Sequence, residues 1–113
     1  NYGINNVDIF APGAIVYSTT PSNNYNSFSG TSMAAPAVSG VAALIRSYFP
    51  KLSPRAVKKV IMESGLTIAT DVRVGADGLE TQLGEVSRTG KIANAYNALL
   101  YASTHYKMLK KLK

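Results

Sequence analysis

The 113-residue sequence predicts an α/β chain, because two short apolar strands are followed by helices of two different kinds. Residues 7–10 and 14–18 are apolar runs separated by an alanine-proline-glycine turn. Residues 33–45 are apolar on nearly every face, as is typical of a helix that is buried inside a domain. Residues 54–64 combine one apolar stripe with a charged face, as is typical of a surface helix.

The remaining segments are assigned from their turn and cap residues. Residues 20–30 are rich in Pro, Ser, Asn and Gly, which favours a loop. Ser53 is the expected N-cap of the second helix, and the proline after it suits the first helical position. Residues 66–89 lack a period, and an aspartate-glycine pair at 77–78 predicts a turn between short extended pieces. A last helix is expected from residue 91 to about 103, with an extension into the lysine-rich end left open.

The composition predicts a folded chain, since 46% of the residues are hydrophobic and only 16% are charged. The absence of cysteine excludes disulfide frameworks, thiolate metal sites and cysteine nucleophiles. With one histidine, His105, the usual metal cage of two or three histidines cannot be built from these residues. Asp71, Asp77 and Glu80 lack the alternating spacing of an EF-hand and are interpreted as acidic residues of surface turns.

The net charge of +6 is concentrated at the C-terminal end. Four of the twelve basic residues lie in the last seven positions: Lys107, Lys110, Lys111 and Lys113. A lysine-rich end without arginine or interleaved stacking aromatics is usually a solvated helix end, so no nucleic-acid binding is expected. No apolar run approaches the roughly 18 residues that a membrane span needs, so no membrane span is expected either.

The boundary between the polar loop and the apolar helix is the most informative position for chemistry. A serine in the first turn of a helix has its hydroxyl and its own amide near the same open end. Ser32 can therefore attack a carbonyl carbon while unpaired amides and the helix dipole stabilise the developing oxyanion. Gly30 has no side chain and lets a substrate backbone approach closely. The alternative from local physics is that Ser32 or Thr31 merely caps a buried helix.

Residues 30–36, Gly-Thr-Ser-Met-Ala-Ala-Pro, resemble the nucleophile motif of the subtilisin-like serine proteases, the subtilase family. Residues 7–13 resemble the strand and turn that lead into this motif in the family, and residues 89–96 resemble one of its later helices. The alanine after the motif proline departs from the histidine that many members carry there. The segment 71–88 matches no family pattern.

The resemblance implies the C-terminal part of a subtilase catalytic domain over residues 1–104, with residues 105–113 as a lysine-rich helical end or tail. It implies an α/β fold with a mainly parallel sheet and a buried central helix that begins at the nucleophile, Ser32. It also implies that Ser32, Thr31 and Gly30 contribute to oxyanion or substrate binding.

The implied activity is that of a serine endopeptidase, which hydrolyses peptide bonds through an acyl-enzyme with an aspartate, a histidine and a serine in that chain order. The family's aspartate and histidine contexts are absent from these residues, and His105 lies too far downstream of Ser32 to be the family base. The sequence starts with Asn1 rather than methionine. We therefore expect an upstream part of the same polypeptide to supply the aspartate and histidine, and expect these 113 residues alone to be inactive.

The resemblance further implies peptide or protein substrates, no metal or organic cofactor in the chemistry, and an extracellular or periplasmic location. Whether the whole protein holds a structural calcium ion stays open. Two other serine chemistries do not fit, because residues 30–34 lack the last glycine of G-x-S-x-G and no serine has a lysine three residues later. The alternative function is a non-catalytic structural or interaction module whose basic C-terminal tail contacts an anionic partner.

Overall fold

The computed structural model describes residues 1–113, which form six short strands and four helices. Strands and helices are mixed along the chain, so the α/β prediction is confirmed. None of the helices combines the length and the hydropathy needed to cross a bilayer. The elements are β1 Val16–Thr20, β2 Asn24–Phe28, α1 Thr31–Tyr48, α2 Pro54–Ser64, β3 Leu66–Thr67, β4 Asp71–Val74, β5 Leu79–Gln82, α3 Leu83–Val86, β6 Lys91–Ile92 and α4 Ala95–Leu109.

Three antiparallel strand pairs form within the chain, namely β1 with β2, β3 with β6 and β4 with β5. The predicted strand at residues 7–10 makes a single bridge, in which Phe10 pairs in parallel with Ile92. The Phe10 amide donates to Lys91 O at 3.0 Å, and the Ala93 amide donates to Phe10 O at 2.8 Å. Parallel pairing is confined to this bridge, so a mainly parallel sheet is not confirmed by these residues.

The hairpin of β1 and β2 corrects the prediction of a loop over residues 20–30. Strand β2 is exposed along its whole length, so it lacks the apolar alternation by which a half-buried strand is recognised. Its pairing depends on a tight reversal, where Ser22 and Asn23 have φ angles of 63° and 59°. Three residues, Pro21 to Asn23, join the strands, and two of them take the left-handed values that a tight hairpin reversal uses. Tyr17 and Tyr25 then stack on one face with ring centroids 5.5 Å apart, which adds a cross-strand contact.

A second hairpin, β4 with β5, occupies part of the segment that lacked a period. The predicted turn at Asp77-Gly78 is confirmed, and it joins two strands of four residues each. Arg73 and Glu80 are opposite each other in the register and form an ion pair at 3.0 Å. Both side chains are largely exposed, so this pair contributes little and the backbone ladder provides most of the pairing energy.

The hydrophobic core lies where α1, α2 and α4 pack against one another. The predicted stripe of α2 is confirmed as buried and consists of Ala56, Val57, Val60 and Ile61. The helix ends at Gly65, whose φ of −60° is ordinary. A glycine is needed at this position because there is no room for a side chain, since an added Cβ would lie 2.9 Å from Ile92 O and 3.0 Å from Ile9 Cδ1. Helix α2 can therefore lie directly against the N-terminal segment and β6.

Helix α1 is longer than the predicted range 33–45, and it is covered on one face only. Ile45 is its only buried residue. Val38, Val41 and Ala42 pack against the core on one side, and the remaining faces are open. A helix buried on all sides is therefore not confirmed by these residues and stays a prediction for the whole domain, because α2 and α4 cover only one of its faces.

Helix α4 begins at Ala95 rather than at residue 91, because residues 91–92 pair with β3. The Asn94 side chain caps the helix by accepting from the Asn97 amide at 2.8 Å. The helix continues beyond its predicted end to Leu109, which is fully buried. The extension that the sequence left open is therefore present.

The lysine-rich end is docked against the first turn of α2. Ser53 Oγ accepts from the Ala56 amide at 3.2 Å, which confirms it as the N-cap of α2. The same hydroxyl donates to Leu112 O at 2.6 Å. Residues 105–113 thus form the last part of α4 and the turn that follows it. The division of the chain into a domain of residues 1–104 and a separate tail of residues 105–113 stays a prediction.

An ion-pair cluster around Asp8 ties the N-terminal segment to α2 and to the end of α3. The Asp8 carboxylate lies 2.6 Å from Lys58 Nζ and 2.8 Å from Arg88 Nη1. The hydrogen bond from Lys58 is the main cause of a lowered pKa at Asp8. Partial burial of the carboxyl opposes this shift, and the positive charges of Lys58 and Arg88 lower the pKa further.

We expect Asp8→Asn to lower the free energy of unfolding by less than about 1 kcal/mol at neutral pH, because all three groups are partly exposed. The folded pKa lies below the unfolded value of about 3.9, so the contribution is complete above that value and is lost as the pH falls through the folded pKa. Denaturant titrations at several pH values measure this difference. Asp77→Asn, in an exposed turn without an ion pair, is the matched control. A difference between the parent protein and Asp8→Asn that grows in acid would contradict the assignment.

Candidate active site

Helix α1 starts at a glycine whose backbone conformation other residues avoid. Gly30 is the N-cap with φ 153° and ψ 167°, and no side chain caps the helix. Neither Ser32 nor Thr31 accepts a hydrogen bond from a helix amide. The alternative that one of these two hydroxyls serves as the cap is therefore wrong.

A second glycine holds this helix start in place. The Gly30 amide donates to Gly13 O at 2.7 Å. A Cβ added to Gly13 would lie 2.7 Å from Gly30 O and 3.2 Å from Ala34 Cβ, which is too close for carbon and oxygen atoms not bonded to each other. Gly30 is thus required for its conformation and Gly13 for space. The turn predicted after residue 10 determines where α1 begins.

The first two helical residues, Thr31 and Ser32, are exposed. Their amides donate to no acceptor of the chain, as is usual for the first amides of a helix. The Ser32 hydroxyl makes no hydrogen bond within the chain, whereas Thr31 Oγ1 accepts from Asn1 Nδ2 at 3.3 Å. The helix therefore presents a hydroxyl and two backbone amides together at its open end.

The charge distribution favours negative charge at this helix end. The first turn of α1 contains no acidic residue, and none occurs anywhere between positions 9 and 62. The helix dipole adds a partial positive charge of about half an elementary charge. An oxyanion that forms beside Ser32 is stabilised by these dipoles, and no carboxylate of α1 opposes it.

Two neighbours shape the surroundings of Ser32. Pro36 lies one turn further into the helix, where it cannot donate the regular hydrogen bond to Ser32 O. Met33 is half-buried, and its sulfur borders the glycine, since a Cβ on Gly30 would lie 3.9 Å from Met33 Sδ. The serine is therefore flanked by an oxidisable thioether and by a helix turn with one fewer backbone bond.

His105 lies at the other end of the helical layer. It stacks on Tyr101 with ring centroids 4.1 Å apart, and the next residue, Tyr106, contacts Phe49 where α1 ends. Helix α1 rises about 1.5 Å per residue, which places that end roughly 25 Å from Ser32. His105 cannot reach the serine, as the sequence predicted. No group of three or more histidine or acidic side chains that could hold a metal ion forms in the chain.

A groove lies beside α1 and does not contain the serine. It has a volume of about 1040 Å³ and is lined mainly by apolar residues of α1, α2 and the N-terminal segment. Gly30 and Thr31 reach its rim, but Ser32 does not line it. The groove is therefore an uncovered side of α1 rather than a substrate cleft built around Ser32.

Sequence reasoning missed Asn1 as a neighbour of the site. Its side-chain contact with Thr31 joins residues 30 positions apart. An isolated asparagine in a polar segment carries no signal for such a contact, which depends on the tertiary approach of Gly13 to Gly30. Gly30, Thr31 and Ser32, in contrast, lie together at the helix start where the sequence placed them.

Comparison with known protein sequences finds relatives over most of the chain. The model of the subtilase family, peptidase S8, matches residues 1–95. Subtilisin-like protease SBT1.9 of Arabidopsis thaliana is 40% identical over 110 residues, which cover 86% of this chain and 14% of that protein. Subtilisin DY of Bacillus licheniformis is 44% identical over 69 residues, which cover 61% of this chain and 25% of that protein.

Solved structures show the same relationship. A structure described as the basis of subtilase cytotoxin SubAB assembly matches with a TM-score of 0.75 and 26% identity, over 99% of this chain and 32% of the other. The prenylagaramide maturation protease PagA matches with a TM-score of 0.61 and 30% identity, over 82% of this chain and 32% of the other. The chain spans a third or less of each of these four proteins.

We expect Gly30→Ala to lower the free energy of unfolding by about 1–3 kcal/mol, because a Cβ is strained in this backbone conformation. Gly40→Ala is the matched control on the same helix, since nothing lies within 4 Å of its added Cβ. The control should be neutral or stabilising by up to about 1 kcal/mol, because alanine favours a helix interior. Denaturant unfolding compares the two variants. Equal effects would contradict the structural role given to Gly30.

Proposed function

The chain belongs to the subtilase family, and on that premise we propose that it carries the nucleophile of a serine endopeptidase. In this proposal the intact protein hydrolyses peptide bonds through an acyl-enzyme, and Ser32 forms the covalent bond. The observation that supports it most is the open start of α1, where the Ser32 hydroxyl has no partner within the chain and stands among unpaired amides.

The proposed chemistry assigns a separate role to each residue at the helix start. Ser32 Oγ attacks the peptide carbonyl carbon, and its own amide donates to the oxyanion that forms. The Thr31 hydroxyl assists oxyanion or substrate binding, and Gly30 lets the substrate backbone approach the helix end. The leaving amine departs with a proton, and water then cleaves the acyl-enzyme to release the carboxylic acid. No metal or organic cofactor takes part in these steps.

The proton transfers need a histidine and an aspartate that these residues do not provide. His105 is excluded by its distance along α1, and it is the only histidine of the chain. We assign the histidine, its aspartate and a side-chain oxyanion donor to an upstream part of the same polypeptide. The small share of SBT1.9 and Subtilisin DY that the chain covers, 14% and 25%, supports this division.

The same upstream part is proposed to cover α1. The groove beside this helix is largely apolar, and a groove of this kind is unfavourable in water when it stays open. In the intact domain α1 then becomes the buried central helix, next to a mainly parallel sheet. The parallel bridge of Phe10 with Ile92 is the part of such a sheet to which these residues contribute.

Peptides or proteins are the proposed substrates, because the relatives are named as proteases. The proposed location is extracellular or periplasmic, because subtilases are typically secreted proteins. The second candidate function is a non-catalytic interaction module, which the lysine-rich end of α4 supports. Reactivity of Ser32 separates the two functions.

A fluorophosphonate probe tests the proposal, since its phosphorus bonds to an activated serine oxygen with loss of fluoride. We expect labelling of the intact protein at Ser32 and no labelling of Ser32→Ala. Ser39→Ala is the control, because Ser39 is exposed on the same helix and only donates to Ala35 O at 3.1 Å. Peptide mapping by mass spectrometry identifies the labelled residue. Labelling at a different serine, or none at all, would overturn the protease assignment.

The isolated 113-residue chain should react far more slowly than the intact protein. In subtilisin, a relative of this chain, loss of the catalytic histidine alone costs about 10⁶ in turnover. The same probe applied to both preparations at equal concentration measures the ratio. Comparable labelling of the two would show that the residues assigned upstream are not needed.

Oxidation of Met33 should inhibit the intact protein. A peroxide that converts its thioether to a sulfoxide places a polar oxygen beside Gly30 and the helix start. We expect activity to fall as Met33 is oxidised and expect Met33→Leu to resist the same treatment. Oxidation of Met108, which is 44% exposed on α4, is the internal control and should not track the loss. Full activity after complete oxidation of Met33 would contradict its placement beside the site.

A further inference from the structure

The positive charge of the chain is gathered at one end of the molecule. No acidic residue occurs between positions 9 and 62 or after position 85. The contact of Ser53 with Leu112 brings basic residues of the two stretches close together, and we name the surface that they form the basic end. It consists of Arg46, Lys51, Arg55, Lys107, Lys110, Lys111 and Lys113. All seven are exposed, and the four ion pairs of the chain involve other residues.

Specific contacts hold the two stretches side by side. Ser53 Oγ donates to Leu112 O at 2.6 Å, so the turn between α1 and α2 lies against the end of the chain. The residues two positions on either side of Ser53 and those adjacent to Leu112 are basic. Lys110 Nζ lies 5.6 Å from the centre of the Tyr106 ring, which itself contacts Phe49. The basic end is therefore a packed surface of the fold rather than a loose tail.

An exposed apolar stripe adjoins the basic end. Tyr96, Leu100, Ser103 and Lys107 follow one another at intervals of four, three and four residues, which places them on one face of α4. Tyr96 is 70% exposed and Leu100 is 50% exposed. Tyr48, at the end of α1, is 68% exposed, and it lines a cleft together with Tyr96, Leu100 and Ser103. One surface thus changes from tyrosine and leucine to lysine along α4.

We propose that this surface binds peripherally to an anionic lipid membrane and does not span it. Lysines are attracted to anionic headgroups, and their long stems let the charge reach the headgroups while nearby apolar groups insert. Tyrosine rings are favoured at the level of the headgroups, where they meet both water and hydrocarbon. A fluid lipid surface adapts to spread lysines, whereas an acidic protein partner requires a matched arrangement of carboxylates.

The orientation that follows leaves the candidate active site accessible. The basic end and Tyr48 lie where α1 ends, and Ser32 lies roughly 25 Å away where it begins. A protein docked on a membrane through α4 therefore presents Ser32 toward water. The inference does not depend on the proposed protease activity, because the binding surface and the serine lie at opposite ends of the same helix.

Sedimentation of the intact protein with lipid vesicles tests the proposal. We expect binding to phosphatidylcholine vesicles that contain phosphatidylserine, little binding to phosphatidylcholine alone, and a decrease with added salt. Lys107→Glu combined with Lys111→Glu should weaken binding at least about 30-fold, because each lysine near the surface contributes substantially. Lys59→Glu combined with Arg73→Glu makes the same change in net charge outside the basic end and should have little effect.

A second pair of variants tests the apolar stripe. Leu100→Ser should weaken vesicle binding several-fold, whereas Leu79→Ser, at a residue that is 66% exposed on β5, should not. Circular dichroism confirms that each variant is folded. The proposal is overturned if anionic vesicles do not bind, if both double charge variants lose binding equally, or if polyglutamate binds while the vesicles do not.

Discussion

The close approach of Gly13 to Gly30 is the constraint on which the candidate site depends. The space between the Gly13 backbone and Gly30 O admits no side chain, so the turn that ends the N-terminal segment sets the start of α1. Phe10 and Asp8 hold the same segment from the other side, through the bridge to Ile92 and the ion pairs to α2 and the end of α3. The helix start is thereby fixed by contacts between residues far apart in the chain, and its amides stay unpaired.

The elements that could be predicted are those whose signal is local. Helix α2 has its cap, its proline and its stripe within a dozen residues, so Ser53 and the buried face were identified correctly. The hairpin of β1 and β2 was missed because its pairing depends on the backbone conformation of Ser22 and Asn23, while its side chains are polar and exposed. Burial of α1 on all sides stays a prediction, because its apolar sequence indicates a need for neighbours that these residues supply on one face only.

The sequence placed Gly30, Thr31 and Ser32 together at the helix start, but it did not show the contacts that hold them there. Ser32 and Thr31 lie at an open helix end as expected, because the motif that contains them is continuous in the sequence. The cap was assigned to Ser32 or Thr31 as an alternative, yet it is Gly30, whose φ cannot be inferred from hydropathy. The contact of Asn1 with Thr31 joins residues 30 positions apart, so only the tertiary structure reveals it, whereas the separation of His105 from Ser32 was predicted.

The central claim is that the approach of Gly13 to Gly30 holds Ser32 in a reactive position at the start of α1. The most direct measurement is the rate of fluorophosphonate labelling of Ser32 in the intact protein that carries Gly13→Ala, with Gly84→Ala, outside α1 and with open space around its added Cβ, as the control. An added Cβ at Gly13 must displace the helix start, and a misplacement of about 1 Å can slow a reaction on the order of 100-fold. We predict slowing of that order for folded Gly13→Ala and an unchanged rate for Gly84→Ala. Labelling of Gly13→Ala at the rate of the parent protein would contradict the claim.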